Sequence, residues 1–166
     1  MDNQQGAPAV TAAPYRLLTD VDIGPGAQIA PFTNLYGCRI GAETHIGPFV
    51  EIQRGASIGA RCQIHSHTFI CEGVEIQDEV FVGHGVMFVD DNQHGGDWEP
   101  LRTVVGRGAS VASGAVLLSG VHVGAGALVG AGAVVTRDVP LRANAGPVPA
   151  RLVAGQRCSD ANSHVA

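Results

Sequence analysis

Between residues 84 and 107 the chain gathers side chains suited to moving a proton or holding an anion: His84, Asp90, Asp91, His94, Trp98, Arg102 and Arg107. A carboxylate or a neutral imidazole accepts a proton near neutral pH, and an arginine fork matches the paired oxygens of a diphosphate. Part of this set recurs upstream at an interval of 18: Arg54, Glu72 and Asp90 form one series, Pro48, Ser66 and His84 a second, and Phe49, His67 and Gly85 a third. Chemistry from such residues requires a framework that decides which of them meet.

The framework is a six-residue beat. Every sixth residue from Ile40 is apolar through Ile46, Ile52, Ile58, Ile64, Ile70, Ile76, Val82 and Phe88, and the beat resumes at Val105, Val111, Leu117, Val123, Val129, Val135 and Leu141. Backwards it runs, one residue short, through Leu35, Ile29, Ile23 and Leu17. The fifth position is also small or apolar, as at Thr44, Val50, Ala56, Cys62, Thr68 and Val74. The fourth is mostly glycine (Gly26, Gly55, Gly73, Gly85, Gly108, Gly114, Gly120, Gly126, Gly132), with Asp20, Asp91, Asp138 and Asn144 elsewhere. These residues tolerate positive φ and mark a corner. A helix would repeat near 3.6 and a plain strand near 2, so neither explains the beat. Short strand and corner in alternation do, and three units close a triangular coil of 18 residues whose stacked turns lie about 4.8 Å apart. The chain is therefore expected to be all-β: an N-terminal arm at 1–16, a solenoid at 17–153 interrupted by a loop at 89–104, and a tail at 154–166. A long loop that leaves such a coil is expected to wall a cleft.

Composition narrows the function classes. The 166 residues suit one domain, and 45% hydrophobic content with only 5% aromatic residues and 23 glycines implies a narrow aliphatic interior. A net charge of -5 and a pI of about 5.7 argue against nonspecific nucleic-acid binding. Cys38, Cys62, Cys71 and Cys158 show neither a CxxC pair nor zinc-ligand spacing, which fits reduced, packed thiols in a cytoplasmic protein. The opening residues lack a signal-peptide pattern, and no stretch is long enough to span a bilayer.

The stretches "GPFVEIQRGASIGARCQIHSHTFICEGVEI", "VFVGHGVMFVDD", "DWEPLRTVVGRGASVASGAVLLSGVHVG" and "GAGAVVTRDVP" resemble the hexapeptide-repeat acyltransferases over roughly residues 17 to 153. Within that family they look most like N-acetyltransferases of nucleotide-linked 3-amino-dideoxyhexoses, typified by dTDP-3-amino-3,6-dideoxyhexoses. Enzymes acting on a UDP-linked 3-amino-glucuronic acid derivative come slightly behind. The resemblance implies a left-handed parallel β-helix, acetyl-CoA as cosubstrate, no metal, and a homotrimer with active sites between subunits. One departure stands out: many relatives read Phe-x-Asn-Asp where this chain has Phe88-Val89-Asp90-Asp91. An ionised carboxylate only accepts hydrogen bonds where an amide both donates and accepts.

Acetyl transfer to an amine needs a proton acceptor and donors for the developing oxyanion. With the resemblance, Asp90, His84 and His94 become the catalytic candidates. Arg54, His67, Glu72, Asp91, Trp98 and Arg102 are candidates for the acceptor. Gly114, Ser119, Gly120, Ala131, Ala133, Arg137, Arg142 and Arg151 are candidates for acetyl-CoA. Each has a plainer alternative: Asp91 favoured by a corner, His84 bonding its own turn, Trp98 anchoring the loop, glycines serving turns, arginines simply solvated. Three other functions compete. A hydroxyl acceptor would make His94 indispensable. A γ-carbonic-anhydrase-like zinc site needs a His-x4-His pair, whereas Val89 stands five residues after His84. A non-enzymatic scaffold would leave the loop and the charged series without a use.

Overall fold

Residues 15–90 and 101–146 are described in the computed structural model, together with the backbone of Leu152–Val153. Asp91, His94, Trp98 and Arg151 lie outside the described residues, as does most of the expected loop.

Short strands alternate with corners and assemble into three parallel sheets, the faces of a triangular tube. Face A stacks Leu17–Thr19, Asn34–Tyr36, Glu51–Ile52, Phe69–Ile70, Met87–Phe88, Val116–Leu117 and Val134–Val135. Face B stacks Asp22–Ile23, Arg39–Ile40, Ser57–Ile58, Glu75–Ile76, Val104–Val105 and His122–Val123. Face C runs from Gln28–Ile29 through His45–Ile46, Gln63–Ile64, Phe81–Val82, Ser110–Val111 and Leu128–Val129 to Asn144–Ala145, where Leu152–Val153 adds an antiparallel strand. The architecture agrees with the left-handed parallel β-helix that the resemblance implies, and no helix long and apolar enough to cross a membrane occurs among the described residues.

Each two-residue strand turns its first side chain out and its second in. Ile40, Ile46, Ile52, Ile58, Ile64, Ile70, Ile76, Val82, Phe88, Val105, Val111 and Leu117 are all buried, and so are the fifth-position residues from Thr44 to Ala133. Threonine is tolerated inside because its hydroxyl is satisfied: Thr44 Oγ1 donates to the Gly59 carbonyl at 2.7 Å and accepts the Cys62 N–H at 3.0 Å. The thiols of Cys38 and Cys62 are pushed above their ordinary pKa by burial.

The ladder holds across the interruption. Residues stacked on neighbouring coils are 18 apart just below it and 29 apart across it, yet Ile76 pairs with Val105, Val82 with Val111 and Phe88 with Leu117. The extra residues are therefore extruded at the edge between faces A and B, and the tube itself is not distorted.

The ends depart from the expected beat. The partner of Leu35 is Leu18 and not Leu17, because the first A-to-B corner is one residue short as well. At the other end Leu141 is 67% exposed; Val139 and Ala145 take the inward places, so the last coil is tighter than 18 residues. Asp138 and Asn144 do not have left-handed backbone. Among non-glycine residues that conformation falls on Asp20, Phe32, Glu43, Phe49, Arg61, His67, Glu79 and Arg142. Asp138 instead accepts the His122 N–H at 2.8 Å.

Among the described residues Phe88 is the one aromatic side chain in the buried core, at the coil from which the chain departs. Its neighbours are held by ladders and cannot close a void, so Phe88→Ala is expected to lower the unfolding free energy by about 3–5 kcal/mol, read from urea denaturation. A loss well under that range would mean that the tube collapses around the gap.

Candidate functional site

The edge between faces C and A carries the densest group of imidazoles. Ser66 Oγ and His84 Nδ1 are 2.8 Å apart, and the His84 N–H donates to Ser113 Oγ at 3.1 Å. The His84 ring is exposed. Its other neighbour is His65, at 4.7 Å between ring centroids, and Phe81 lies 5.0 Å from His65 on the far side. His65 has room because Gly47 and Gly83 occupy the equivalent positions of the adjacent coils. Its pKa is lowered from 6.5, first by burial and then by repulsion from His84. At this spacing two imidazolium charges disfavour each other.

His67, one column along from Ser66, does not join this pair. The contact of His84 is with His65, whereas His67 stacks on Phe49 at 4.9 Å, and Phe49 stacks on Phe32 at 5.3 Å. His65 was not among the sequence candidates. The signal for it was a bulky polar residue in a column otherwise holding Ala30, Gly47, Gly83, Ala112 and Gly130.

On the edge between faces A and B, Arg54, Glu72 and Asp90 share one column, each two residues beyond the paired Ile52, Ile70 and Phe88. Ser119 and Arg137 continue it, two residues beyond Leu117 and Val135. His84 and Asp90 thus stand on opposite edges of face A. Strand Met87–Phe88 runs between them, so within one chain the width of face A separates the two side chains.

The arginines flanking the interruption are engaged. Arg102 pairs with Glu75 and holds that carboxyl below its ordinary pKa. Arg107 bonds Asp78 at 2.7 Å, and its backbone N–H donates to Gln77 Oε1 at 3.0 Å. The Gly120 N–H donates to Thr103 Oγ1 at 2.9 Å. Together these contacts fasten the returning chain to its neighbouring coils; the ion pairs are exposed, so each contributes little by itself. The Arg102 side chain remains 70% exposed, leaving part of its fork to solvent.

Of the residues expected to meet acetyl-CoA, Gly114 and Ala131 lie on the C–A edge above His84, and Ser119, Gly120 and Arg137 on the A–B edge. Ala133 is fully buried inside the tube and presents nothing to a ligand. Gly120 has its N–H taken by Thr103 and the Leu101 side chain packed over it. Arg137 and Arg142 do not cluster: Arg142 sits on the B–C edge, stacked on Gly126. Among the described residues no three of His, Cys, Asp and Glu are grouped to hold a metal ion.

Residues 37–72 and 102–137 match the family described as "Bacterial transferase hexapeptide (six repeats)". Among curated proteins the chain is similar to the bifunctional protein GlmU of Sorangium cellulosum, 36% identical over 133 residues, covering 80% of this chain and 27% of that protein. The chain spans less than a third of the length of the curated relatives it matches. Among solved structures it resembles AntD, an N-acyltransferase from Bacillus cereus in complex with dTDP and coenzyme A, at 16% identity and TM-score 0.73 over 83% of this chain and 85% of that one. It also resembles perosamine N-acetyltransferase from Caulobacter crescentus, in complex with CoA and GDP-perosamine, at 24% identity and TM-score 0.61 over 84% of this chain and 58% of that one. Periodicity, ladder register and the two matched segments agree: residues 37–72 and 102–137 carry the hexapeptide repeat of that family, folded as a parallel β-helix.

Proposed function

We propose that the protein is an acetyl-CoA-dependent N-acetyltransferase whose acceptor is the amine of a nucleotide-linked amino sugar, with a dTDP-3-amino-3,6-dideoxyhexose as the first choice and a UDP-linked 3-amino-glucuronic acid derivative as the second. The observation that carries it is the His84 imidazole, fixed through Nδ1 by Ser66 at 2.8 Å and exposed on the tube's edge. With the Nδ1 proton donated to Ser66 Oγ, Nε2 presents a lone pair. The fold shared with AntD and the perosamine enzyme, whose structures hold CoA with dTDP and with GDP-perosamine, supports the choice of donor and acceptor class.

In this reading the free amine attacks the thioester carbonyl carbon. The C–N bond forms, the tetrahedral intermediate expels the CoA thiolate as the C–S bond breaks, and the proton lost by nitrogen passes to His84 Nε2 and on to the departing sulfur. Asp90, on the opposite edge of face A, orients the amine from a neighbouring subunit of a homotrimer, with Arg54 and Glu72 below it to hold the sugar. The exposed part of Arg102 faces the diphosphate. Backbone around Gly114 and Ala131 receives the pantetheine, and Arg137 meets CoA phosphate. The proposal keeps His94 as a catalytic candidate, Asp91 and Trp98 as contacts of the acceptor and Arg151 as a contact of acetyl-CoA.

Thiol release against a panel of dTDP- and UDP-amino sugars tests the assignment. His84→Ala is expected to lower kcat/KM about 100- to 10,000-fold, the span of general-base catalysis. Asp90→Ala is expected to lose most turnover while His94→Ala keeps a substantial part; the reverse order would point to a hydroxyl acceptor.

The imidazole pair also predicts a pH dependence of stability. Because the folded pKa of His65 is depressed below 6.5, the unfolded chain binds its proton first, and stability present above pH 6.5 is lost as pH falls through the folded value. His65→Gln should flatten the acid side of a Tm-against-pH curve below 6.5 relative to wild type; two superimposable curves would refute the coupling.

A further inference from the structure

The aromatic column on the C–A edge ends abruptly. Phe32, Phe49 and His67 occupy the same corner position on successive coils, all with left-handed backbone, and their rings stack at 5.3 and 4.9 Å with interplanar angles of 6° and 25°. Bulky side chains are uncommon in that backbone conformation, which disfavours a Cβ. Phe32 and Phe49 are 54% and 52% exposed, so hydrophobic burial does not explain their presence at a solvent edge.

The next place in the column is Gly85, whose N–H continues the ladder by donating to the Ser66 carbonyl at 2.9 Å. Among the described residues nothing lies within 4 Å of where a Cβ on Gly85 would stand, and the same holds two coils further at Gly132. One face of His67 is covered by Phe49, and the other looks along the tube axis into this space. A planar ring at the coil spacing of about 4.8 Å would continue the stack at the level of Gly85. Its flanks would be the exposed His84 ring on one side and Met87, 38% exposed, on the other.

We infer that this slot, floored by the Phe32–Phe49–His67 stack and opened by Gly85, receives the planar ring of a nucleobase. Stacking on an aromatic face is sequence-tolerant and needs no hydrogen-bond partner at the ring edge, which suits a floor built of hydrocarbon and imidazole. The inference deepens the acetyltransferase reading and rests on it for the ligand's class. Both substrates of that reaction carry a base, the nucleotide-linked acceptor and the adenine of CoA. In both, ribose and diphosphate separate the base from the reacting group, so the slot's place beside His84 does not choose between them; the acceptor's base is the occupant tested first.

The test is calorimetric titration of the full chain with dTDP, UDP and CoA separately. His67→Gly removes the ring while relieving the left-handed backbone, so folding is not penalised there. Gly85→Phe fills the slot in the backbone conformation that Phe49 already adopts. Both variants are expected to weaken dTDP or UDP binding about 5- to 100-fold, the range of base–aromatic stacking, with CoA binding unchanged; Phe32→Gly, two coils below His67 and out of reach of the slot, serves as control and keeps wild-type affinity. Weakening confined to CoA would support the slot and assign it to the donor's adenine. Wild-type binding of CoA but of neither nucleotide would overturn the acceptor class, leaving the slot to be judged on CoA alone. Unchanged affinity for every probe in both variants, with wild-type melting, would overturn the slot.

Discussion

The constraint on which everything else depends is the closeness of one coil's backbone to the next. A Cβ placed on Gly41 would come within 2.4 Å of the Gly59 carbonyl carbon, and one on Gly83 within 2.6 Å of the Ser113 nitrogen. Backbones this close leave each coil no path but that of its neighbour. Parallel ladders on three faces then lock the register, and a residue's height and edge follow from its sequence number. An insertion can be accepted only where it leaves at a corner and returns in register, as the chain does between Phe88 and Val104, fastened by Arg102, Thr103 and Arg107.

Locked register turns the surface into columns about one strand spacing apart. That spacing is close to the contact distance of aromatic rings, so like residues in one column stack, as Phe32, Phe49 and His67 do. It also couples charges. His65 and His84 belong to adjacent columns and adjacent coils, 4.7 Å apart, and the charge of His84 adds to burial in lowering the pKa of His65. The three edges consequently differ in chemistry although the backbone repeats. One holds imidazoles and hydroxyls, a second the Arg54–Glu72–Asp90 column, and the third an ion-paired ladder in which Arg61 meets Glu79 at 2.7 Å.

The fold was legible because its cause is periodic. An inward aliphatic every six residues specifies strand, corner and coil length at once, and the alignment of Arg54, Glu72 and Asp90 followed from counting. Counting failed where the period changed. A shortened first corner moved the inward place from Leu17 to Leu18, and a tightened last coil expelled Leu141. The site was less legible because contacts between columns depend on side-chain volume as well as number. His65 reaches His84 only because Gly47 and Gly83 vacate the space around it, and Ser113 meets His84 only because the interruption is extruded at an edge. Corner backbone was misjudged for a related reason: the coil imposes left-handed φ on Glu43, Phe49 or Arg61 whatever their intrinsic preference.

Between the two chemically distinct edges lies face A, and its outward column changes character along the tube. Asn34 and Glu51 give way to Phe69, Met87, Val116 and Val134, an apolar stripe that begins one coil before the coil bearing His84 and Asp90. Met87 is 38% exposed and Phe69 is half-buried. Such a stripe is stabilised by covering it with another apolar surface. Covering face A with a second subunit would lay that subunit's edge alongside one of the two edges here. The width of face A, which stands between His84 and Asp90 within a chain, would then no longer keep them apart in an assembly. Under the proposed function, that apolar surface would be the physical route by which a site divided between two edges becomes one, and assembly would then serve the chemistry as well as stability.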